Sequence, residues 1–230
     1  MILRVRAPNP SPLTLSGTNT WVVGRDPAWV VDPGPDIGAH VDAVAAAVRE
    51  RGGLGGIALT HGHADHAEAI PALRARLGDA PVGAFGDVGD AFGPFAVLHV
   101  PGHTDDHLVF VAGRAAFTGD AVLGEGSVFV SGRLREYLDG LRRLRALELD
   151  ALYPGHGDEV TDPAAKLDQY LAHRADRERR LLAALDAGAR GEDELLDAAW
   201  ADAPASVRQF AALSLRAHLE KLREEGRLPA

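Results

Sequence analysis

Three histidines and one aspartate occur within six consecutive positions of the chain, in the segment THGHADH at residues 60–66. An apolar run typical of a strand, residues 56–59, precedes this segment. A loop that leaves the carboxyl end of a strand directs successive side chains into one pocket, where imidazole and carboxylate groups suit zinc, iron or manganese. The spacing therefore predicts a metal site whose ligands are His61, His63, Asp65 and His66.

Three further candidate ligands share one context, an apolar run that ends in a glycine-containing turn. They are His103 in the sequence PGHT, Asp120 in TGD and His156 in PGHG. Glycine allows the tight turns and close backbone approach that such a loop requires. Seven ligands exceed what one tetrahedral ion can use, so the residues predict two divalent ions. The expected metal is Zn²⁺, with iron or manganese as alternatives. Because the chain has no cysteine, a zinc site would have to use histidine and carboxylate ligands.

Composition restricts the classes of function. The 230 residues include 24 basic and 33 acidic side chains, which gives a formal net charge of −9. This charge disfavours DNA binding, because phosphate backbones attract cationic surfaces. The chain has no run of eighteen apolar residues and no apolar stretch after its first basic residues, so we expect a cytoplasmic protein without a membrane partner. The sequence leaves the oligomeric state open.

The elements that must position the ligands alternate between strands and helices, which predicts an α/β or α+β fold. Apolar runs typical of strands occupy residues 21–23, 28–31, 56–59, 82–84, 96–100, 108–112, 115–118 and 151–153. Helical spacing of apolar residues occurs at 41–48, 70–77 and 134–144. From about Pro163 the chain becomes rich in alanine, leucine, arginine and glutamate, and three helices are expected at 163–187, 193–200 and 206–225.

The order of the seven ligands resembles the metallo-β-lactamase superfamily, whose signature is an HxHxDH block followed by a lone histidine, an aspartate and a last histidine. The resemblance implies an α+β fold, an αββα sandwich with the site along one edge. It also implies how the ions are held. One metal takes His61, His63 and His103, the other takes Asp65, His66 and His156, and Asp120 bridges them.

Further segments resemble the β-lactamase-like-protein-2 family within that superfamily. They are NPSP at 9–12, GTNT at 17–20, PGHTDDH at 101–107, LGEG at 123–126 and YLAHR at 170–174. This resemblance implies a catalytic domain, residues 1–173, and a small helical, winged-helix-like C-terminal domain, residues 174–230. One departure is Gly62, where relatives often carry a bulky aromatic residue, so a more open pocket wall is expected there.

A water molecule bridging two divalent ions loses a proton near neutral pH, so the predicted nucleophile is a metal-bridging hydroxide. Asp65 is predicted to be a ligand and also the catalytic residue that orients this water or accepts its proton. Asp32 is a candidate partner for the N–H of a ligand imidazole. Asn19 and Tyr137 are candidates for substrate binding, with a turn residue and helix packing as the alternatives. His107 either approaches the site or bonds to backbone at a strand end.

Three functions remain open. The family resemblance implies an endoribonuclease acting on single-stranded RNA, which would need a basic groove at the metal pocket. A thioester hydrolase resembling hydroxyacylglutathione hydrolase would need a narrower cleft with an apolar wall. The third possibility is a non-catalytic RNA- or protein-binding module with a structural metal pair. True β-lactamase activity is not favoured, because such zinc enzymes are exported and commonly use a cysteine ligand.

Overall fold

The computed structural model describes residues 1–228 and contains two five-stranded mixed sheets. The first sheet has the strand order β1-β2-β3-β4-β5. Its strands are β1 (Ile2–Arg6), β2 (Asn19–Val23), β3 (Ala28–Val31), β4 (Leu54–Ala58) and β5 (Val82–Gly83). The first three strands pair antiparallel, whereas β3, β4 and β5 are parallel. Parallel pairing brings the carboxyl ends of β3 and β4 to the same edge, where the first ligands follow.

The second sheet has the order β10-β9-β8-β7-β6. Its strands are β6 (Ala91–Phe92), β7 (Phe95–His99), β8 (Leu108–Ala112), β9 (Ala115–Gly119) and β10 (Ala151–Pro154). Only β9 and β10 are parallel in this sheet, and the other neighbours pair antiparallel. The carboxyl ends of β9 and β10 therefore also share an edge.

Successive side chains of a strand pack into different layers of the sandwich. In β2, Trp21 and Val23 pack against aromatic side chains of the second sheet such as Phe110 and Phe117, while Val22 faces the helices that cover the first sheet. The helices outside the first sheet are α1 (Gly38–Arg49) and α3 (Ile70–Leu77), and a single-turn helix, α2 (Ala64–Ala67), precedes α3. Side chains of alternate residues point to opposite faces of a strand, so two buried faces require an almost continuous apolar sequence.

Helix α4 (Leu134–Arg145) and the first half of α5 (Pro163–Asp186) cover the second sheet. Leucines of α4 at helical spacing pack on Val109 and Leu152 of the sheet. The predicted αββα sandwich of the α+β class is thereby confirmed.

The C-terminal region has its own apolar core. Helix α5 continues into α6 (Glu192–Ala199), a 3₁₀ turn (Ala205–Val207) and α7 (Arg208–Glu224). Leu181, Leu195, Trp200 and Leu215 form the centre of this core. Helix α5 crosses the predicted domain boundary at residue 174 without interruption, and no strand accompanies the helices up to residue 228. Within residues 1–228, no helix has both the length and the apolarity needed to cross a bilayer.

His218 of α7 is a titratable group in the C-terminal core. Its side chain is 1% exposed, and neither ring nitrogen has a hydrogen-bonding partner in the described chain. The ring lies edge-on to Trp200 with 5.6 Å between centroids. Burial, together with the charges of Arg174 and Lys221, lowers the pKa of His218 to about 3.

We expect the protein to lose stability as the pH falls from 6.5 towards 3. In this window the unfolded His218 binds a proton and the folded one does not, so acid favours unfolding. Replacing His218 with Phe should reduce the loss between about pH 7.5 and pH 5 by about 2 kcal/mol. Urea unfolding followed by circular dichroism measures the free energy of unfolding at each pH. The metal centre is the same in both proteins, so its contribution to the pH dependence cancels in the difference. Equal pH dependence of the two proteins would contradict this account of His218.

Candidate metal centre

All seven predicted ligands meet at one edge of the sandwich. They follow strands of both sheets: His61 and His63 follow β4, Asp65 and His66 lie in α2, His103 follows β7, Asp120 follows β9 and His156 follows β10. Their donor atoms form three groups, each with atoms within 4.8 Å of one another: His61, His63 and His103; His61, His66 and Asp120; and Asp65, His66 and His156. The shared members make these groups one continuous cluster.

Hydrogen bonding directs imidazole lone pairs into the first group. The Thr60 hydroxyl donates to Asp32 Oδ2 at 2.8 Å, so it accepts from His61 Nδ1 at 3.0 Å and leaves His61 Nε2 unprotonated. His103 Nδ1 similarly donates to the Phe129 carbonyl at 3.4 Å. The two free Nε2 atoms lie 2.9 Å and 3.1 Å from His63 Nδ1.

A single proton on His63 Nδ1 can satisfy only one of these two lone pairs. A cation at the centre satisfies all three nitrogens at once. Tetrahedral ligands with zinc–nitrogen bonds of about 2.0 Å lie about 3.3 Å apart, close to the separations in this group. The donor set therefore fits a divalent metal.

The second group combines imidazoles with carboxylates. His66 Nδ1 donates to Asp32 Oδ2 at 2.9 Å, which leaves His66 Nε2 facing His156 Nε2 at 3.4 Å. Asp65 Oδ2 lies 3.3 Å from His156 Nε2. Burial alone would lower the pKa of His156, but its hydrogen bonds to Asp120 and Asp65 raise that pKa to about 10. A positive charge is thus stabilised here, either as a proton or as a metal ion.

Asp120 lies between the two groups. Its Oδ2 is 3.6 Å from His103 Nε2 and 3.3 Å from His156 Nε2, while the buried Oδ1 has no hydrogen-bonding partner in the described chain. Burial would raise the pKa of Asp120, but the neighbouring His66 and His156 outweigh it and hold the pKa well below its usual range. A buried, ionised carboxylate with a free oxygen is suited to contact two ions. The chemistry and placement of the donors are consistent with a dinuclear site.

Asp32 anchors the cluster from the end of β3. Its side chain is 1% exposed, and its Oδ1 accepts the backbone N–H of Thr60 at 2.8 Å. Its Oδ2 accepts both the Thr60 hydroxyl and His66 Nδ1. The carboxylate therefore orients His66 directly and His61 through Thr60, the supporting role that the sequence predicted for it.

His107, which the sequence left open, packs against the ligands. Its ring stacks on His61 with 4.9 Å between centroids, and its Nε2 accepts the backbone N–H of Asp120 at 3.1 Å. The side chain is fully buried, and burial lowers the pKa of His107 well below its usual value. The neutral ring is the form that can accept this hydrogen bond, so His107 positions Asp120.

Thr18 supports Asp65 in a way that the ligand pattern did not indicate. The Thr18 hydroxyl donates to Asp65 Oδ2 at 3.2 Å, and Asn9 holds Thr18 through two hydrogen bonds of 2.9 Å. Both residues lie in the NPSP and GTNT segments. Those conspicuous polar turns were the only sequence signal for this support.

Asn19 and Tyr137 do not lie where a substrate could reach them. Asn19 is fully buried, and its amide donates to the carbonyl oxygens of Pro154 and Gly157 at 3.0 and 2.8 Å. Tyr137 is also fully buried, and its hydroxyl donates to the Ala121 carbonyl at 2.7 Å. This placement does not support the predicted substrate contacts. Asn19 instead braces the loop that carries His156.

Two glycines shape the pocket. A Cβ on Gly155 would come within 2.6 Å of Asp120 Oδ1 and of His66 Cε1, so only glycine fits there. A Cβ on Gly62 would come within 3.2 Å of Asp106 Oδ2, so a larger residue there would require this carboxylate to move by a few tenths of an ångström. The N–H of Gly62 also donates to that carboxylate at 3.0 Å.

Comparison with known proteins agrees with this geometry. A family model described as the metallo-beta-lactamase superfamily matches residues 13–84 and 79–156. A second, described as the beta-lactamase associated winged helix domain, matches residues 192–228. A crystal structure of a metallo-beta-lactamase family protein from Thermus thermophilus superimposes with a TM-score of 0.75 at 23% identity, covering 98% of this chain and 94% of that one. At this identity the superposition speaks for the fold alone.

Two curated relatives cover much of the chain. The beta-lactamase-like protein 2 homolog of Caenorhabditis elegans is 30% identical, over 98% of this chain and 85% of that protein. An atrochrysone carboxyl ACP thioesterase of Paecilomyces divaricatus is 32% identical, over 80% of this chain and 64% of that protein.

We expect His107→Ala to weaken metal binding by about 10–100-fold, because Asp120 loses the partner that orients it. The zinc affinity of His107→Gln, which retains a hydrogen-bond acceptor, should lie between the affinities of the unmodified protein and of His107→Ala. Competition between the protein and a chelator of known zinc affinity measures the effect, with His218→Phe, a buried histidine of the C-terminal core, as the control. Unchanged zinc affinity in His107→Ala would refute the positioning role.

Proposed function

This chain belongs to the metallo-β-lactamase superfamily and is a hydrolase of the type that carries an associated winged-helix domain, and we propose that its substrate is an acyl thioester. One observation carries the choice of thioester. An aromatic pair, Phe129 and Phe210, stacks at the position whose backbone carbonyl accepts a hydrogen bond from the candidate ligand His103. An apolar wall next to the metal centre is what an acyl group requires, whereas RNA would require basic side chains there.

The aromatic pair joins the two parts of the molecule. The Phe129 carbonyl accepts the hydrogen bond from His103 Nδ1, and its ring stacks on Phe210 of α7 with 5.2 Å between centroids and 29° between planes. Its neighbours Val128 and Val130 point into the core, so the ring of Phe129 points away from the core. Both rings are half-buried and belong to none of the apolar cores. They therefore retain surface for contact with a ligand.

The distribution of positive charge also favours a thioester. A basic groove does exist, but it lies between α4, α5 and α7, and none of the seven candidate ligands lines it. The ACP thioesterase relative, 32% identical, supports the same substrate class.

The candidate ligands and their neighbours suit hydrolysis. Divalent ions, when bound, supply Lewis acidity and lower the pKa of coordinated water to roughly 7. Burial would raise the pKa of Asp65, but its hydrogen bond to His156 and the charge of His66 lower it, so the carboxylate is ionised at neutral pH. An ionised Asp65 held by Thr18 can orient a water molecule and accept its proton.

We expect metal-dependent hydrolysis of octanoyl-N-acetylcysteamine, detected by thiol release, and loss of activity after metal removal. Asp65→Asn should lower kcat by about 10²–10⁴, because the amide cannot accept the proton. Asp105→Asn changes an exposed carboxylate that is not a candidate ligand and should leave the rate unaltered. Cleavage of a single-stranded RNA oligonucleotide without any thioester hydrolysis would reject the proposed substrate in favour of endoribonuclease function.

The aromatic pair should determine acyl preference. Phe210→Ala is expected to lower kcat/KM about tenfold for an octanoyl thioester and little for an acetyl thioester, because only the longer chain reaches the ring. Phe85→Ala serves as the control, because it removes an exposed aromatic ring that contacts His99 and is not part of the aromatic pair. An equal loss with both thioesters would mean that Phe210 only holds α7 in place.

A further inference from the structure

The groove between α4, α5 and α7 is a basic surface that the proposed chemistry does not use. It has a volume of about 670 Å³. Its charged lining residues are Arg135, Arg142, Arg174, Arg179, Lys221, Arg227, Glu178 and Glu225. The lining carries an excess of four positive charges in a chain whose net charge is −9. Arg142 and Arg179 pair with Asp139 and Asp176, which do not line the groove, so two of the excess positive charges remain without a carboxylate partner. The groove is therefore a local positive surface on an acidic protein.

The two carboxylates of the groove are already engaged. Glu178 pairs with Lys221 at 2.7 Å and with Arg227, and Glu225 pairs with Lys221 at 2.8 Å. Arg135 is exposed and has no hydrogen bond or ion pair with any residue from 1 to 228. Its positive charge is thus available to an anionic partner.

Arg174 adds buried charge to the groove. Its side chain is 2% exposed and has no carboxylate partner in the described part of the chain. It contacts neutral groups instead, namely the Val128 carbonyl, the Ser127 hydroxyl at 3.3 Å and the ring of Tyr137 at 5.8 Å. A buried guanidinium without a counter-ion is costly, so an anion docked above it would be stabilising.

Apolar side chains separate the cations. Leu138, Leu171 and Leu182 line the groove together with two alanines, and no aromatic residue lines it. Single-stranded nucleic acid usually stacks its bases on aromatic rings, which this groove lacks. Alternating leucines and arginines instead suit a helix that has apolar residues on one face and acidic residues beside them.

We propose that the groove docks an acidic helix of an acyl carrier protein and so presents its thioester to the metal centre. The proposal rests on the thioesterase function proposed above and names the partner that delivers the acyl group. One segment, residues 127–131, contacts both a residue that lines the groove and a candidate metal ligand. Arg174 binds this segment at Ser127 and Val128 from the groove side, and His103 binds it at Phe129.

The start of α4 lies close to the metal centre as well. The hydroxyl of Ser131, three residues before Leu134, donates to the His103 carbonyl at 3.1 Å. Arg135 in the first turn and Arg142 two turns later line the groove from this helix. A carrier seated along α4 would therefore lie beside the cleft that its flexible prosthetic arm must enter.

The test compares an octanoyl-loaded acyl carrier protein with octanoyl-N-acetylcysteamine, which has the same acyl group but no carrier. In the double variant Arg135→Glu/Arg142→Glu, we expect the ratio of kcat/KM for the carrier substrate to that for the small thioester to fall at least about tenfold. Raising NaCl from about 50 mM to about 500 mM should lower the same ratio in the unmodified protein. Arg143→Glu is the control, because Arg143 is exposed on the same helix but does not line the groove.

A binding measurement tests docking of the carrier protein independently of thioester hydrolysis. Fluorescence anisotropy of labelled carrier protein without an acyl group should show binding that the double variant weakens at least about tenfold and Arg143→Glu does not. If carrier binds in this way but no thioester is hydrolysed, the thioesterase function fails while the docking surface stands. If the double variant hydrolyses and binds carrier as the unmodified protein does, the proposal is overturned. The proposal is also overturned if the groove binds a single-stranded RNA oligonucleotide and does not bind the carrier protein.

Discussion

The carboxylate of Asp32 is the constraint on which the metal centre depends. It is buried at the end of β3 and accepts hydrogen bonds from Thr60 and His66, so it fixes both the loop after β4 and the direction of a ligand lone pair. Parallel pairing of β3 with β4 brings these groups together. Without that carboxylate the imidazoles would be free to bond to one another. With it, their lone pairs point into a common space that suits a cation.

The remaining ligands come from the second sheet, so the site also depends on how the two sheets are joined. Asn19 and Trp21 of β2 bond to the carbonyl oxygen of Pro154 at the end of β10, two residues before His156. Aromatic side chains such as Phe117 fill the space between the sheets. Rigid packing of this kind holds donor atoms at fixed separations, which a loop alone could not do.

The C-terminal helices contribute to the site through residues 127–131. Ser214 of α7 accepts the backbone N–H of Val130, Phe210 covers Phe129, and Arg174 of α5 bonds to Val128. Each contact lies within two residues of the carbonyl that orients His103. The C-terminal helices therefore hold the segment whose carbonyl orients His103.

The sequence by itself predicted most elements and the seven candidate ligands, whose donor atoms the fold brings together. The HxHxDH block and three glycine turns are local patterns, and helical or alternating spacing located nearly every strand and helix within a few residues. It missed β1 (Ile2–Arg6) and β6 (Ala91–Phe92), which are half-exposed edge strands with weak patterns, and the single-turn helix α2 (Ala64–Ala67), which is too short to show a period. Only the tertiary structure decided that Asn19 and Tyr137 are internal braces, that His107 holds Asp120 and that Phe129 meets Phe210. These roles depend on hydrogen bonds and contacts between distant residues, and the period of a strand or helix reports only which face is buried.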